Sequence, residues 1–169
     1  MNSGAAILVQ DTCALIDLLS LDLMRCIEES GRRIHISEYV YAEVLRAHQT
    51  AQIDSLIVGG LIVVDKVPND DMIDEYRTRF AGLSVADCSM IDLSQRVGGV
   101  LVTTDEKLKR VCLSMELEVH GVVWIIEIMV TERMIDVGLA ITKLDLYAEV
   151  NKRAPLKLIE ELKRKLSPE

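Results

Sequence analysis

The feature that most constrains this chain is an alternation repeated down most of its length: a short apolar run, a polar stop, then a longer stretch with helical spacing. Ala5 to Val9, Arg33 to Ile36, Leu61 to Val64, Val100 to Thr103 and Glu118 to His120 read as strands. Helical spacing fills residues 12 to 29 (with a break near Ser20), Glu38 to His48, Ala51 to Val58, Pro68-Asn69-Asp70 to about Phe80, Val85 to Val97, and Glu106 to Met115. Ser37 and Ser84 stand where N-caps belong, and Gly31, Gly59-Gly60 and Gly98-Gly99 end helices. Strands alternating with helices must be joined by crossovers. The expected fold class is therefore α/β, a parallel sheet covered by helices on both faces.

After Gly121 the strand signal stops. Val122 to Val130, Gly138 to Val150 and Leu156 to Leu166 read as helices. The expectation is a single domain over residues 1–169, with a core of about 5–120 and a helical C-terminal extension of about 121–166. Half the residues are apolar but only 4% are aromatic, so aliphatic side chains must fill the core. No run reaches the roughly 18 apolar residues of a membrane span. The first residues lack the charged and apolar regions of a signal peptide. The four cysteines are scattered without a CxxC pair, which suits reduced core thiols in a cytoplasmic protein. His35, His48 and His120 have no metal-ligand spacing. The formal charge of −8 opposes general nucleic-acid binding, because phosphate affinity comes mainly from Lys and Arg. A polyanionic substrate would need local basic patches, metal ions, or both.

In a βα unit the helix begins at the carboxyl edge of the preceding strand, and open α/β sheets bind ligands there. Asp11 directly follows the first strand, in "ILVQDTCALIDLL". Asp105 follows the fourth, in "LVTTDEKL", and Asp87 opens the helix leading into that strand, in "LSVADCSMIDL". Glu43 lies on the second turn of its helix, in "ISEYVYAEVLRA". Helical side chains lean toward the N-terminus, so Glu43 reaches the same edge from about 9 Å down the axis. Carboxylates about 4 Å apart repel by about 4 kcal/mol at an effective dielectric near 20. Four at one rim must spread out, take up protons, or share a divalent cation. An oxygen-only donor set of Asp11, Glu43, Asp87 and Asp105 points to Mg²⁺ or Mn²⁺. Thr12, Thr103 and Thr104 stand ready to hold waters or orient the acids. A plainer reading applies as well: Asp11 and Asp105 as N-caps, and Asp87 as the returning acid of a capping box with Ser84. Glu43 fits a cap less well, being mid-helix beside the Val40–Val44–Ala47 stripe. Asp17, Asp22, Asp92, Glu106 and Asp70-Asp71 read as exposed faces or caps.

These residues resemble the PIN-domain family of metal-dependent nucleases, including VapC-type toxins. The matching elements are Asp11-Thr12 running on to Leu15-Ile16, Ser37 through Glu43-Val44, Asp87 with Ile91, and Leu101-Val102-Thr103-Thr104-Asp105. The resemblance covers about residues 5–120, and the tail after Gly121 matches only loosely. It implies a three-layer α/β/α fold with strand order 3-2-1-4-5. It implies Mg²⁺- or Mn²⁺-dependent cleavage of RNA by the four acids, a cognate antitoxin, and a homodimer. Arg46, Arg77, Arg79, Lys107 and Lys109 are the basic residues nearest the acids in sequence, and six more lie between Lys152 and Lys165.

Other α/β families fit less well. A phosphoacceptor receiver domain needs paired acids after strand one and a Lys after strand five, where this chain has Asp11 alone and His120-Gly121. A haloacid-dehalogenase phosphatase needs a second Asp where Cys13 stands, and no G-x-S-x-G is present. The rival of another class is a PIN-like module that binds nucleic acid or protein with little or no cleavage. The apolar "VVWIIEIMV" and "AITKLDLY" segments exceed what one small domain is expected to bury, and predict a homo-oligomer or a bound partner.

Overall fold

A central parallel strand is covered on both faces, so both sets of its alternating side chains must be apolar. In β1 (Ile7–Gln10) Leu8, Val9 and Gln10 are all buried. The computed structural model describes residues 7–46 and 50–167, and the side chain of Arg46 is outside the description. Ala5, Ala6, Ala47 and His48 of the expected strand and helix lie outside the described residues.

α1 (Thr12–Ser20) and α2 (Met24–Glu29) fill the first helical stretch. It breaks at Leu21–Leu23, where Asp22 takes a left-handed φ of 52° and the two leucines are fully buried. β2 (Arg33–Ser37), α3 (Glu38–Arg46), α4 (Thr50–Val58) and β3 (Ile62–Asp65) follow. Ser37 accepts from the Val40 N–H at 3.1 Å, and its hydroxyl pairs with that of Ser89 at 2.6 Å. Then come α5 (Asp70–Arg79), α6 (Val85–Val97), β4 (Val100–Val102), α7 (Glu106–Ser114) and β5 (Val119–His120).

The five strands are all parallel, in the order β3-β2-β1-β4-β5. Leu8 pairs with Ile34 on one side and with Val100 on the other. Gly99 permits that second pairing, since a Cβ there would stand 2.9 Å from the Ile7 carbonyl oxygen. The chain runs outward from β1 to β3, then returns across the sheet to β4 and β5. Right-handed crossovers therefore send α1–α4 to one face and α5–α7 to the other. The direction of winding reverses between β1 and β4, which opens a crevice at their carboxyl ends.

The tail forms α8 (Val122–Thr131), α9 (Val137–Val150) and α10 (Leu156–Leu166), which pack on one another, with α8 also against α1. The apolar excess assigned to a partner is used inside the chain. Val122, Val123, Ile125, Ile126 and Met129 of α8 are buried, as are Ala140, Leu144 and Tyr147 of α9. Each large aliphatic side chain among them contributes about 1.5–3 kcal/mol on burial. Among the described residues, polar ties also join the tail to the sheet domain. Arg32 donates two bonds of 2.6 Å to Glu132, and the Asn151 amide donates to both oxygens of Asp17 at 3.0 and 2.9 Å. Asp17 and Asp92 are thus not exposed faces: both are buried, Asp92 in an ion pair of 2.7 Å with Arg96. Among the described residues no helix is long and apolar enough to cross a membrane.

Candidate active site

The carboxyl ends of β1 and β4 deliver Asp11, Thr103, Thr104 and Asp105 to one crevice. Asp11 caps α1, its Oδ1 accepting from the Ala14 N–H at 2.6 Å. Its Oδ2 accepts a short bond from the Thr103 hydroxyl and a longer one, 3.4 Å, from the Thr104 N–H. The Thr103 hydroxyl in turn accepts from the Asp105 N–H at 3.0 Å. One hydroxyl, itself only 2% exposed, therefore couples the first acid to the backbone of the fourth.

Glu43 approaches from α3. Its Oε2 accepts from the Thr12 hydroxyl at 2.6 Å, across 31 residues of sequence. Glu43 is half-buried there. Asp87 completes the capping box of α6, with bonds of 2.8 and 3.0 Å to and from Ser84. Asp105 caps α7, its Oδ1 accepting from the N–H groups of Lys107 and Leu108 at 2.8 Å each. The cap readings of Asp11, Asp87 and Asp105 are all realised. The loop before Asp87 also meets the helix after Asp105. Gly82, at φ +86°, lies against the Lys107 ammonium, which a Cβ there would displace.

These caps do not exhaust the acids. Among the described residues, Oε1 of Glu43, Oδ1 of Asp87 and Oδ2 of Asp105 accept no protein hydrogen bond. Asp11 is the electrostatic centre. Burial pushes its carboxyl up from 3.8 to about 6, and the nearby charge of Asp87 pushes the same way. The bonds from Thr103, Ala14 and Thr104 pull it down without cancelling that rise. Among the described residues no Lys, Arg or His forms a salt bridge with it. An all-oxygen donor set around a buried, uncompensated carboxylate suits a hard divalent cation. Among the described residues, however, no three His, Cys, Asp or Glu side chains converge closely enough to hold a metal ion.

Three neighbours of the rim were not legible in the sequence. Cys13 is exposed rather than in the core, and its thiol is pushed up by desolvation and by the charges of Asp11, Asp17 and Glu43. Its place two residues after Asp11, on the open side of α1, was the available signal. Tyr147 arrives from α9, its phenol pushed up by burial and then by Asp17 and Asp11. Arg153, in the turn between α9 and α10, acts by its charge on Cys13. Nothing local in the sequence places those two beside α1.

A parallel sheet in this order, with acids at its switch point, defines the class: an α/β fold of the nuclease type. A family model described as a PIN domain matches residues 7–168, and the chain belongs to that family. PIN domains are generally nucleases that act on nucleic acids with divalent metals. The match runs through α8–α10, further than the 5–120 legible from motifs. No curated protein matches the chain.

Proposed function

We propose that the chain is a Mg²⁺- or Mn²⁺-dependent endoribonuclease that cleaves RNA at the crevice between β1 and β4. The observation that carries this reading is Asp11: a buried carboxylate, next to a second one, with hydrogen-bond donors but, among the described residues, no cation of the protein's own. Asp11, Glu43, Asp87 and Asp105 would hold the ion. When bound, it supplies a water of lowered pKa and a clamp on the phosphodiester oxygens.

The chain's own residues set the stage. The Thr103 hydroxyl fixes the Asp11 rotamer and the start of α7 together. Thr12 holds Glu43 toward the rim, and the Thr104 N–H orients the outer oxygen of Asp11. Preorganised acids of this kind need no rearrangement at the moment of reaction. The physiological form we propose is VapC-like: a cytoplasmic toxin held by an antitoxin and working as a homodimer. The exposed Val150, Leu156 and Leu158 give α9 and α10 apolar surface for such partners.

The test is RNA cleavage with and without Mn²⁺ by the wild type, Asp11→Asn and Asp87→Asn. Metal-dependent cleavage confined to the wild type is the expected result. Equal residual cleavage by all three would overturn it. That outcome would leave the binding module, which one observation favours: Asp11, Asp87 and Asp105 already serve as caps, and among the described residues no three acids converge.

A further inference from the structure

Beside the acid rim, the C-terminal helices leave a cleft of about 420 Å³. Small-molecule sites commonly span about 300–1,000 Å³, so the space suits one nucleotide. Thr103 and Thr104, the two residues that hold Asp11, line it. So do His120 and Trp124, whose rings lie stacked with centroids 4.0 Å apart and planes 7° from parallel. Both rings are partly exposed, at the point where β5 turns into α8.

Three cations also line the cleft, Lys109, Arg153 and Lys165. Lys109 and Arg153 form no salt bridge among the described residues, whereas Lys165 is paired with Glu127. Glu106, Glu127 and Glu161 line the cleft too, Glu127 being neutralised by Lys165, and the acids oppose a long polyanion. Flat aromatic surface, unpaired cations and hydroxyls are the groups by which proteins hold unstacked nucleotides of single strands.

We propose that this cleft seats one nucleotide of single-stranded RNA adjoining the scissile phosphate, its base on the His120–Trp124 stack and its phosphate on Arg153 and Lys109. The proposal rests on the ribonuclease reading above. It also gives an acidic protein a local route to a polyanion.

Trp124 is the only tryptophan in the chain, so its emission reports on the cleft alone. Asp11→Asn or Glu43→Gln protein is titrated in Mg²⁺ with a short fluorescein-labelled single-stranded oligoribonucleotide. Anisotropy and tryptophan emission are followed together. The expected result is saturable quenching over the concentration range of binding. Arg153→Ala, an exposed site, should weaken binding by about tenfold through loss of a charge-assisted contact. Trp124→Phe, which keeps the ring and the packing, should weaken it less. Binding by anisotropy with unchanged Trp124 emission, and with Arg153→Ala binding as tightly as its parent, would overturn the cleft and leave the nuclease reading intact. Absence of binding, together with absence of metal-dependent cleavage by the wild type, would overturn both.

Discussion

The two ends of α1 each bury a carboxylate at 9% exposure, and the two are held in different ways. Asp17, at the far end, faces the Asn151 amide, which gives a bond to each of its oxygens. Among the described residues it forms no salt bridge, and through Asn151 it fastens the C-terminal helices to the sheet domain. Asp11, at the near end, is also hydrogen-bonded, but it shares its surroundings with Asp87 and stands on the same rim as Glu43 and Asp105. Burial raises the carboxyl of each. A buried acid with a dedicated amide is a structural joint. One set among other acids carries uncompensated charge, and it stands at a switch point, where open α/β sheets bind ligands.

The widest separation between the two ends should appear in catalysis. Asp11→Asn keeps a capping oxygen and is expected to lower metal-dependent kcat at least about a hundredfold. Asp17→Ala should leave kcat unchanged while costing about 1–3 kcal/mol of stability, read as a fall of about 2–4 °C in Tm per kcal/mol. A loss of kcat in Asp17→Ala at full folding would break the contrast.

The pH dependence should separate them next. Asp11 is raised from 3.8 to about 6 in the folded protein, so between those values the native state holds a proton that the unfolded chain has released. The metal-free protein therefore has this stabilisation in full below about pH 4 and loses it as pH rises through 6, by about 3 kcal/mol. Denaturant unfolding at both pH values should show the drop in the wild type, reduced by that amount in Asp11→Asn. Parallel profiles for the two proteins would remove Asp11 from its central role.

Smaller effects sharpen the picture. Thr103→Val deletes a hydroxyl that gives to Asp11 and takes from Asp105. It should cost about 1–2 kcal/mol by unfolding and lower cleavage as loss of a supporting contact does, by about tenfold or more. Gln10, just before Asp11, is fully buried with both side-chain polar atoms unpaired among the described residues. Gln10→Met should gain about 1 kcal/mol by relieving that desolvation. A loss instead would mean that the Gln10 amide has a partner at the working site.

Much of the fold was readable because the period of the apolar residues changes where the secondary structure does. The helix at Val85–Val97 begins and ends where Ser84 and Gly98 place it, with a capping box at one end and a left-handed glycine at the other. The acids could be nominated because each follows a strand or opens a helix. In the tail, "VVWIIEIMV" reads as surplus surface because no local signal says that α8 packs against α9 and α10. Asp17 reads as an exposed face or cap for a similar reason, since its amide partner lies 134 residues away.

The amino-acid order alone determined the alternation of strand and helix, the caps, and the acids next to strand ends, because these depend on residues within a few positions of one another. Only the tertiary structure decided that Thr12 meets Glu43, that one hydroxyl joins Asp11 to Asp105, and that His120, Trp124 and Arg153 line one cleft with Thr103 and Thr104. Those contacts span tens of residues and arise from the packing of sheet against helix, a geometry no short window of sequence contains.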